Sequence, residues 1–254
     1  MAAVIVIPAR MSSTRLPGKP LADIGGEPMI VHVWRRAVAA ASGPVLVAVA
    51  EAEIAAAITQ AGGEAVLTAP DLPSGSDRVQ AALARFDPDR RFDQVINLQG
   101  DLPALDPAAI ATVLRVLAES GADIATLVAP ITDPAERDDP NCVKAVVSFP
   151  PGARSGRALW FTRLAAPGGD GPLWHHIGIY AYRRAALERF VGLAPAPLEQ
   201  RERLEQLRAL EAGMTIAAAR VDSVPLGVDT PADLARIRRM LVGPGAAHQD
   251  DPAP

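Results

Sequence analysis

The chain predicts an α/β protein on a doubly wound, mostly parallel sheet, with a smaller mixed-sheet lobe inserted late. Three observations carry this. Short β-branched runs alternate with stretches of helical periodicity from Val4 to Val128. The connections between them are short. The composition is 49% hydrophobic with only 4% aromatic residues, and its Ala, Val and Leu suit helices packed on a parallel sheet.

Val4-Ile5-Val6-Ile7 reads as the first buried strand. The segment 8–21 cannot continue it, because Pro8 and Pro17 lack amide donors and Gly18 admits backbone geometry closed to other residues. Pro28 to Ala41 places Met29, Ile30, Val33 and Ala37 on one helical face, with Gly43 as the stop. Strand Val45–Val49, helix Glu51–Gln60 and the short strand Ala65–Leu67 follow. After a Pro/Ser/Gly loop come helix Asp77–Arg85, strand Gln94–Leu98, helix Pro107–Ala118 and strand Asp123–Val128. Beyond Pro130 the alternation stops. Val143–Ser148, Ala158–Thr162 and Ile177–Arg183 read as strands with little helix between them. Helices Arg184–Val191 and Pro197–Ala212, strand Thr215–Arg220 and helix Pro231–Leu241 complete the pattern. One domain over 1–242 is expected, with the lobe at about 130–190 and a fraying, Gly/Pro/Ala-rich tail over 243–254.

At 254 residues the chain can bury a sizeable core. No stretch has the length of a membrane span and the first strand is too short for a signal-peptide core, so a soluble cytoplasmic protein is expected. The single cysteine, Cys142, excludes an internal disulfide and a cysteine-rich metal site. A net charge of −4 argues against a nucleic-acid surface and makes the basic first loop a local feature.

That loop gathers Arg10, Arg15 and Lys19 with Ser12, Ser13 and Thr14 at a strand's C-terminal end, where open α/β sheets bind ligands. Cations, hydroxyls and loop amides together suit a polyphosphate. Asp101, after strand Gln94–Leu98 and a glycine, falls at the same edge; it either helps hold Mg²⁺ beside phosphate oxygens or caps the turn before Pro103. Asp229-Thr230-Pro231 is by itself a good helix start. Ser74-Gly75-Ser76-Asp77-Arg78 opens a helix with small residues, either to admit a base or ribose or as an ordinary cap. His175 and His176 face opposite ways on a strand and make a poor metal pair, although one of them suits a pocket wall. Glu202, Glu205 and Gln206 share a helical face, as a sugar-hydroxyl site or as a solvated stripe. Neither a Gly-x-Gly-x-x-Gly nor a Gly-x-x-x-x-Gly-Lys-Ser/Thr motif is present, which disfavours nicotinamide dinucleotides and P-loop chemistry. The residues alone reach a metal-dependent enzyme of nucleoside triphosphates with an open acceptor.

Several motifs in order resemble the 3-deoxy-manno-octulosonate (Kdo) cytidylyltransferases, which belong to the glycosyltransferase-A-like nucleotidyltransferases. They are Ile7-Pro8-Ala9-Arg10, Ser13-Thr14-Arg15-Leu16-Pro17-Gly18-Lys19-Pro20-Leu21, Ser74-Gly75-Ser76-Asp77-Arg78 and Asn97-Leu98-Gln99-Gly100-Asp101. Further along stand His176-Ile177-Gly178-Ile179-Tyr180, Leu204-Glu205-Gln206-Leu207-Arg208 and Gly227-Val228-Asp229-Thr230-Pro231. The resemblance implies CMP transfer from CTP to Kdo with Mg²⁺, a supply role in lipopolysaccharide assembly, and a homodimer built with the smaller lobe. It assigns Arg10, Ser13, Arg15 and Lys19 to the triphosphate and Ser74, Arg78 and Gln99 to the rest of the nucleotide. Asp101 and Asp229 become metal ligands; Arg15, Lys19 and Asp101 would serve the chemistry itself. Arg163, His176, Tyr180, Glu202 and Gln206 would line the acceptor pocket.

Two positions depart from the family pattern. Ala50 stands where an aspartate is usual, and Leu102 replaces the glutamate of Gln-Gly-Asp-Glu-Pro. Both leave room for another acidic sugar, such as a sialic acid or an amino analogue of Kdo, although the sialic-acid enzymes usually have a more glycine-rich opening loop. A nucleotide-binding module without turnover is the reading of a different class.

Overall fold

The computed structural model describes residues 2–13 and 15–243. Thr14, His248 and all of the expected tail except Gly243 lie outside the described residues. Two compact units are present. The first comprises Ala3–Arg91, Asn97–Pro107 and 225–243, and the second Ala2, Phe92–Ile96 and Ala108–Val224.

In the first unit, β1 (Ala3–Ala9) is buried along its whole length. A 3₁₀ turn at Lys19–Leu21 leads to a small hairpin of β2 (Asp23–Ile24) and β3 (Glu27–Pro28). Gly25 and Gly26, with φ of 64° and 91°, supply the left-handed geometry that a two-residue hairpin turn needs. Helix α1 (Met29–Ala39) buries Met29, Ile30, Val31, Val33 and Ala37, the stripe that its periodicity predicts. Then come β4 (Val45–Val49), α2 (Ala52–Gln60), β5 (Glu64–Leu67) and α3 (Gly75–Phe86). β4 lies between β1 and β5, parallel to both, so Ala9, Val49 and Leu67 finish together at one edge. The 10–21 loop leaves from that edge.

Gly43 closes the α1–β4 turn at φ 145°, and a Cβ there would lie 2.1 Å from the Ala3 carbonyl oxygen. Gly43→Ala is therefore expected to cost about 2–3 kcal/mol of stability, read as a lower urea midpoint at unchanged slope.

Strand β6 (Gln94–Leu98) is fully buried and passes from the second unit to the first after Ile96. The second unit continues with α4 (Pro107–Ser120), β7 (Ile124–Pro130), α5 (Pro134–Asp138), β8 (Lys144–Ser148), β9 (Ser155–Thr162) and β10 (Trp174–Arg183). Helices α6 (Arg184–Val191), α7 (Pro197–Glu202) and α8 (Gln206–Glu211) precede β11 (Ile216–Arg220). β7 pairs in parallel with β11 and antiparallel with β10, while β9 is antiparallel to both β11 and β8. The pairing in this unit is thus mixed. The final helix α9 (Pro231–Val242) belongs to the first unit, where Leu234 and Ile237 join Ile24, Met29 and Val228 in one apolar cluster.

The single helix expected over Pro197–Ala212 is two. Arg203 sits at φ 57°, and the Leu204 amide reaches back to the Glu199 carbonyl at 3.2 Å, ending α7 in a left-handed cap. Glu202 therefore does not share a helical face with Glu205 and Gln206. A bidentate pair spans the break: Arg208 Nε and Nη2 donate to Glu199 at 2.8 and 2.6 Å, with both side chains nearly buried. Burial alone would raise the Glu199 carboxyl, but the bonds from Arg208 and from the Ala196 amide outweigh it and hold the group below its usual 4.5. With the folded value depressed, the unfolded chain takes up the proton first. The pair's contribution is complete above the unfolded value and is lost as pH falls through the folded one. Glu199→Gln should lose about 3 kcal/mol at neutral pH and show a flatter urea-stability profile than the parent below pH 4.5.

Candidate active site

The site lies within the first unit, in a cleft of about 470 Å³ lined by the 10–20 loop, the start of α3, the segment after β6 and Asp229. Its floor is the end of β1. The Ala9 carbonyl accepts from the Ala50 amide at 3.2 Å, and the Met11 amide donates to Glu51 Oε1 at 3.1 Å. The loop then folds on itself: Ser13 Oγ accepts from the Leu16 amide at 3.3 Å, and Gly18, at φ 70°, starts the turn that carries Lys19. Arg10 and Arg15 remain exposed at the cleft.

Opposite the loop, Gly100 lets the chain pass β1, since a Cβ there would come within 3.0 Å of the Pro8 carbonyl oxygen. Asp101 follows. Its carbonyl accepts from the Val228 amide at 3.0 Å, which lays the 225–230 segment alongside and puts Asp229 next to Asp101. Val228 is completely buried in the apolar cluster and anchors that segment. Leu102, 8% exposed, packs beside Gly227, so its side chain is used for packing.

Lys19 joins the two acids. Its ammonium donates to Asp101 Oδ2 at 2.9 Å and to Asp229 Oδ1 at 3.0 Å, while Arg15 approaches Asp229 Oδ2 at 3.1 Å. Burial pulls the Lys19 pKa down, but the two carboxylates more than compensate and raise it above 10.5, so Lys19 is a fixed cation. Asp229 does not cap α9. Thr230 does, accepting from the Asp233 amide at 3.2 Å while Asp233 Oδ2 accepts from the Thr230 amide at 2.9 Å. The Asp229 carboxylate is thereby left to the cleft.

Ser74 lines the cleft and also caps α3, accepting from the Asp77 amide at 3.2 Å. Arg78 is buried at 2% exposure; it donates to Thr68 Oγ1 at 2.5 Å and to the carbonyls of Ala69 and Pro70 at 3.1 and 3.3 Å. It organises the strand exit after β5 while forming part of the cleft wall. Burial, ahead of the nearby Arg10, lowers its pKa. Gln99 Nε2 donates to Asn97 Oδ1 at 3.2 Å.

The five acceptor-pocket candidates stand in the second unit. Glu202 accepts from Thr162 Oγ1 at 3.1 Å, and Arg163 Nε donates to the Glu202 carbonyl at 3.0 Å. The rest of the Arg163 guanidinium is engaged by the carbonyls of Pro140 and Arg203. The rings of His176 and Tyr180 are 5.5 Å apart, with Phe161 edge-on to His176. Burial, with a small addition from His175, pushes His176 down to about 3, so it is neutral. Gln206 is buried and its Nε2 has no hydrogen-bond partner among the described residues. Thr126, fully buried, bonds His176 Nε2 at 3.1 Å and the Ile179 carbonyl at 2.8 Å, pinning the irregularity in β10 between Ile177 and Tyr180. Neither Thr126 nor Glu51 stands out in the sequence, because both act on backbone distant along the chain.

The chain matches the cytidylyltransferase family model over residues 4–216. It is 63% identical over 238 residues to the 3-deoxy-manno-octulosonate cytidylyltransferase of Paramagnetospirillum magneticum, covering 94% of this chain and 97% of that protein. To the protein of the same name from Rhodospirillum centenum it is 65% identical over 238 residues, covering 94% and 93%. It also superposes on a solved structure of CMP:2-keto-3-deoxy-manno-octonic acid synthetase complexed with CTP, with a TM-score of 0.86 and 40% identity over 95% of this chain and 99% of that one. The family-model match and the identity to these relatives over nearly the whole chain make it a member of the cytidylyltransferase family, among its 3-deoxy-manno-octulosonate cytidylyltransferases.

Proposed function

We propose that the protein transfers CMP from CTP to 3-deoxy-D-manno-octulosonate, giving CMP-Kdo and pyrophosphate. The observation that carries this is Lys19 held between Asp101 and Asp229 in a cleft that also presents Arg10, Ser13 and Arg15. In the reaction an acceptor hydroxyl oxygen forms a bond to the α-phosphorus. The bond from that phosphorus to the bridging oxygen breaks, pyrophosphate leaves with the electron pair, and the hydroxyl proton is released.

Arg10, Ser13, Arg15 and Lys19 would cradle the triphosphate and neutralise the charge that builds on the departing pyrophosphate. Ser74, Arg78 and Gln99 would form the nucleoside end of the cleft, with Arg78 acting through the segment it holds. Arg163, His176, Tyr180, Glu202 and Gln206 would bind the acceptor: the unpartnered Gln206 amide suits a hydroxyl or carboxylate oxygen, and a neutral His176 suits a polar, uncharged contact.

Two carboxylates that already share one cation fit a hard divalent ion such as Mg²⁺, whose remaining ligands come from phosphate oxygens and water. Bound to Asp101 and Asp229, Mg²⁺ would supply charge neutralisation at the α-phosphate and lower the pKa of the attacking hydroxyl. We further infer a cytoplasmic homodimer, assembled through the 130–190 region, that supplies lipopolysaccharide assembly. The exposed Leu159 and Leu164 in that region support an interface there.

Pyrophosphate release with CTP and a panel of Kdo, its 8-amino analogue and a sialic acid tests the reading. Turnover is expected with Kdo. Turnover confined to another sugar would reassign the acceptor, and CTP binding with no product from any of them would remove the enzymatic reading.

A further inference from the structure

The second unit holds a mixed-donor cluster that the nucleotidyl-transfer reading leaves unused. Glu136 on α5, Cys142 ahead of β8 and His175 on β10 each offer one donor atom, and those atoms all lie within 4.8 Å of one another. We propose that Glu136, Cys142 and His175 form a binding site for a thiophilic divalent cation, with zinc the best fit.

The donor set decides the class of ion. One sulfur, one imidazole nitrogen and one carboxylate oxygen are the ligands of zinc and its softer neighbours, whereas magnesium and calcium take oxygen. Bond lengths of roughly 2.0–2.3 Å at tetrahedral angles put such donors about 3.5 Å apart, so the cluster needs only a small closure to grip an ion. His175 Nδ1 and Glu136 Oε2 are already 3.3 Å apart. Three protein donors leave a fourth position for water or an exogenous ligand.

The backbone under each donor is fixed. Asp133 caps the turn that carries Glu136, accepting from the Ala135 amide at 2.9 Å. Cys142 is held by its amide to the Asp139 carbonyl at 3.2 Å, a carbonyl that also receives Lys144 Nζ at 2.7 Å. His175 is locked in register opposite Ala129 and Lys144, and the next amide, of His176, donates to the Val143 carbonyl at 2.8 Å. Access is from the carboxylate and imidazole side: the Glu136 and His175 side chains are 38% and 20% exposed, with Cys142 behind them at 4%. An ion there would cross-link α5, the turn before β8 and the start of β10, one residue away from the proposed acceptor contact His176. Binding would displace the thiol proton to solvent, as thiolate ligation requires.

The test uses the full-length protein, freed of metal, and cobalt(II) as the probe. Because Cys142 is the chain's single cysteine, a thiolate-to-cobalt charge-transfer band in the near ultraviolet reports on this site alone. The expected result is such a band saturating at one equivalent per chain, bleached by zinc and indifferent to excess magnesium. Cys142→Val, close in volume and apolar, should abolish it. Glu136→Gln and His175→Gln, which leave the thiol in place, should weaken cobalt affinity at least about tenfold. Zinc should raise the melting temperature of the parent and not of Cys142→Val; should that variant fail to fold, the other two carry the comparison. No band with cobalt in excess overturns the proposal, and so does a band whose affinity is unchanged in both Glu136→Gln and His175→Gln, since that is a lone thiol and not a site. None of these readouts depends on the sugar or the nucleotide.

Discussion

Asp101→Asn is expected to fold like the parent and to lose at least about three orders of magnitude in kcat, or about 4 kcal/mol of transition-state stabilisation. The fold should survive because the structural duty of this residue is carried by its backbone: its carbonyl accepts from the Val228 amide, and asparagine keeps that bond. The side chain is 30% exposed, so the amide can be solvated. What the substitution removes is a negative charge 2.9 Å from the Lys19 ammonium, and with it half of the carboxylate pair offered to a divalent cation. Pyrophosphate release measures the loss, and an unchanged melting temperature separates it from misfolding. Asp229→Asn should behave alike, since Thr230 and Asp233 keep the cap of α9. Parent-like turnover in Asp101→Asn would end the assignment of this pair to metal and phosphate chemistry.

Much of this was legible because it is local. The fully buried run of β1 and the stripe of α1 follow from periodicity, whereas the small β2–β3 hairpin was not read from the sequence. The cationic loop was legible for the same reason: Arg10, Arg15 and Lys19 sit within ten positions at the end of an evident strand. What stayed hidden depends on residues far apart in sequence. Asp-Thr-Pro is a good helix start with either Asp229 or Thr230 as cap; the Thr230–Asp233 capping box settles it on Thr230, and the Val228 amide bonding back to Asp101 sets Asp229 beside Asp101. The break of the expected 197–212 helix has no glycine or proline at its centre. It is fixed by an arginine in left-handed geometry and by the Glu199–Arg208 pair that clamps both halves. Arg78 reads as a ligand contact in the motif, yet its guanidinium is largely used on Thr68, Ala69 and Pro70, which no spacing rule predicts.

Lys19→Met tests the metal reading without relying on turnover. Methionine matches the length of the lysine stem and removes the ammonium with its two hydrogen bonds, while the loop's backbone turn, from the Lys19 amide to the Leu16 carbonyl, is kept. Activity should fall about 10²–10³-fold, the usual consequence of removing one charge-stabilising donor. The sharper expectation concerns stability. Asp101 and Asp229 would lose the cation they share at 2.9 and 3.0 Å, leaving like charges side by side with only Arg15 on the outer one. That should cost about 2 kcal/mol at neutral pH. In the parent, Mg²⁺ without nucleotide must compete with a resident ammonium whose charge is held firm above its ordinary pKa. In Lys19→Met it need not. Millimolar Mg²⁺ should therefore raise the melting temperature of Lys19→Met by more than that of the parent, and the gain should vanish when Asp101→Asn is added. Equal shifts in parent, single and double variants would mean that the ion binds elsewhere, and the carboxylate pair would then exist to hold Lys19 alone.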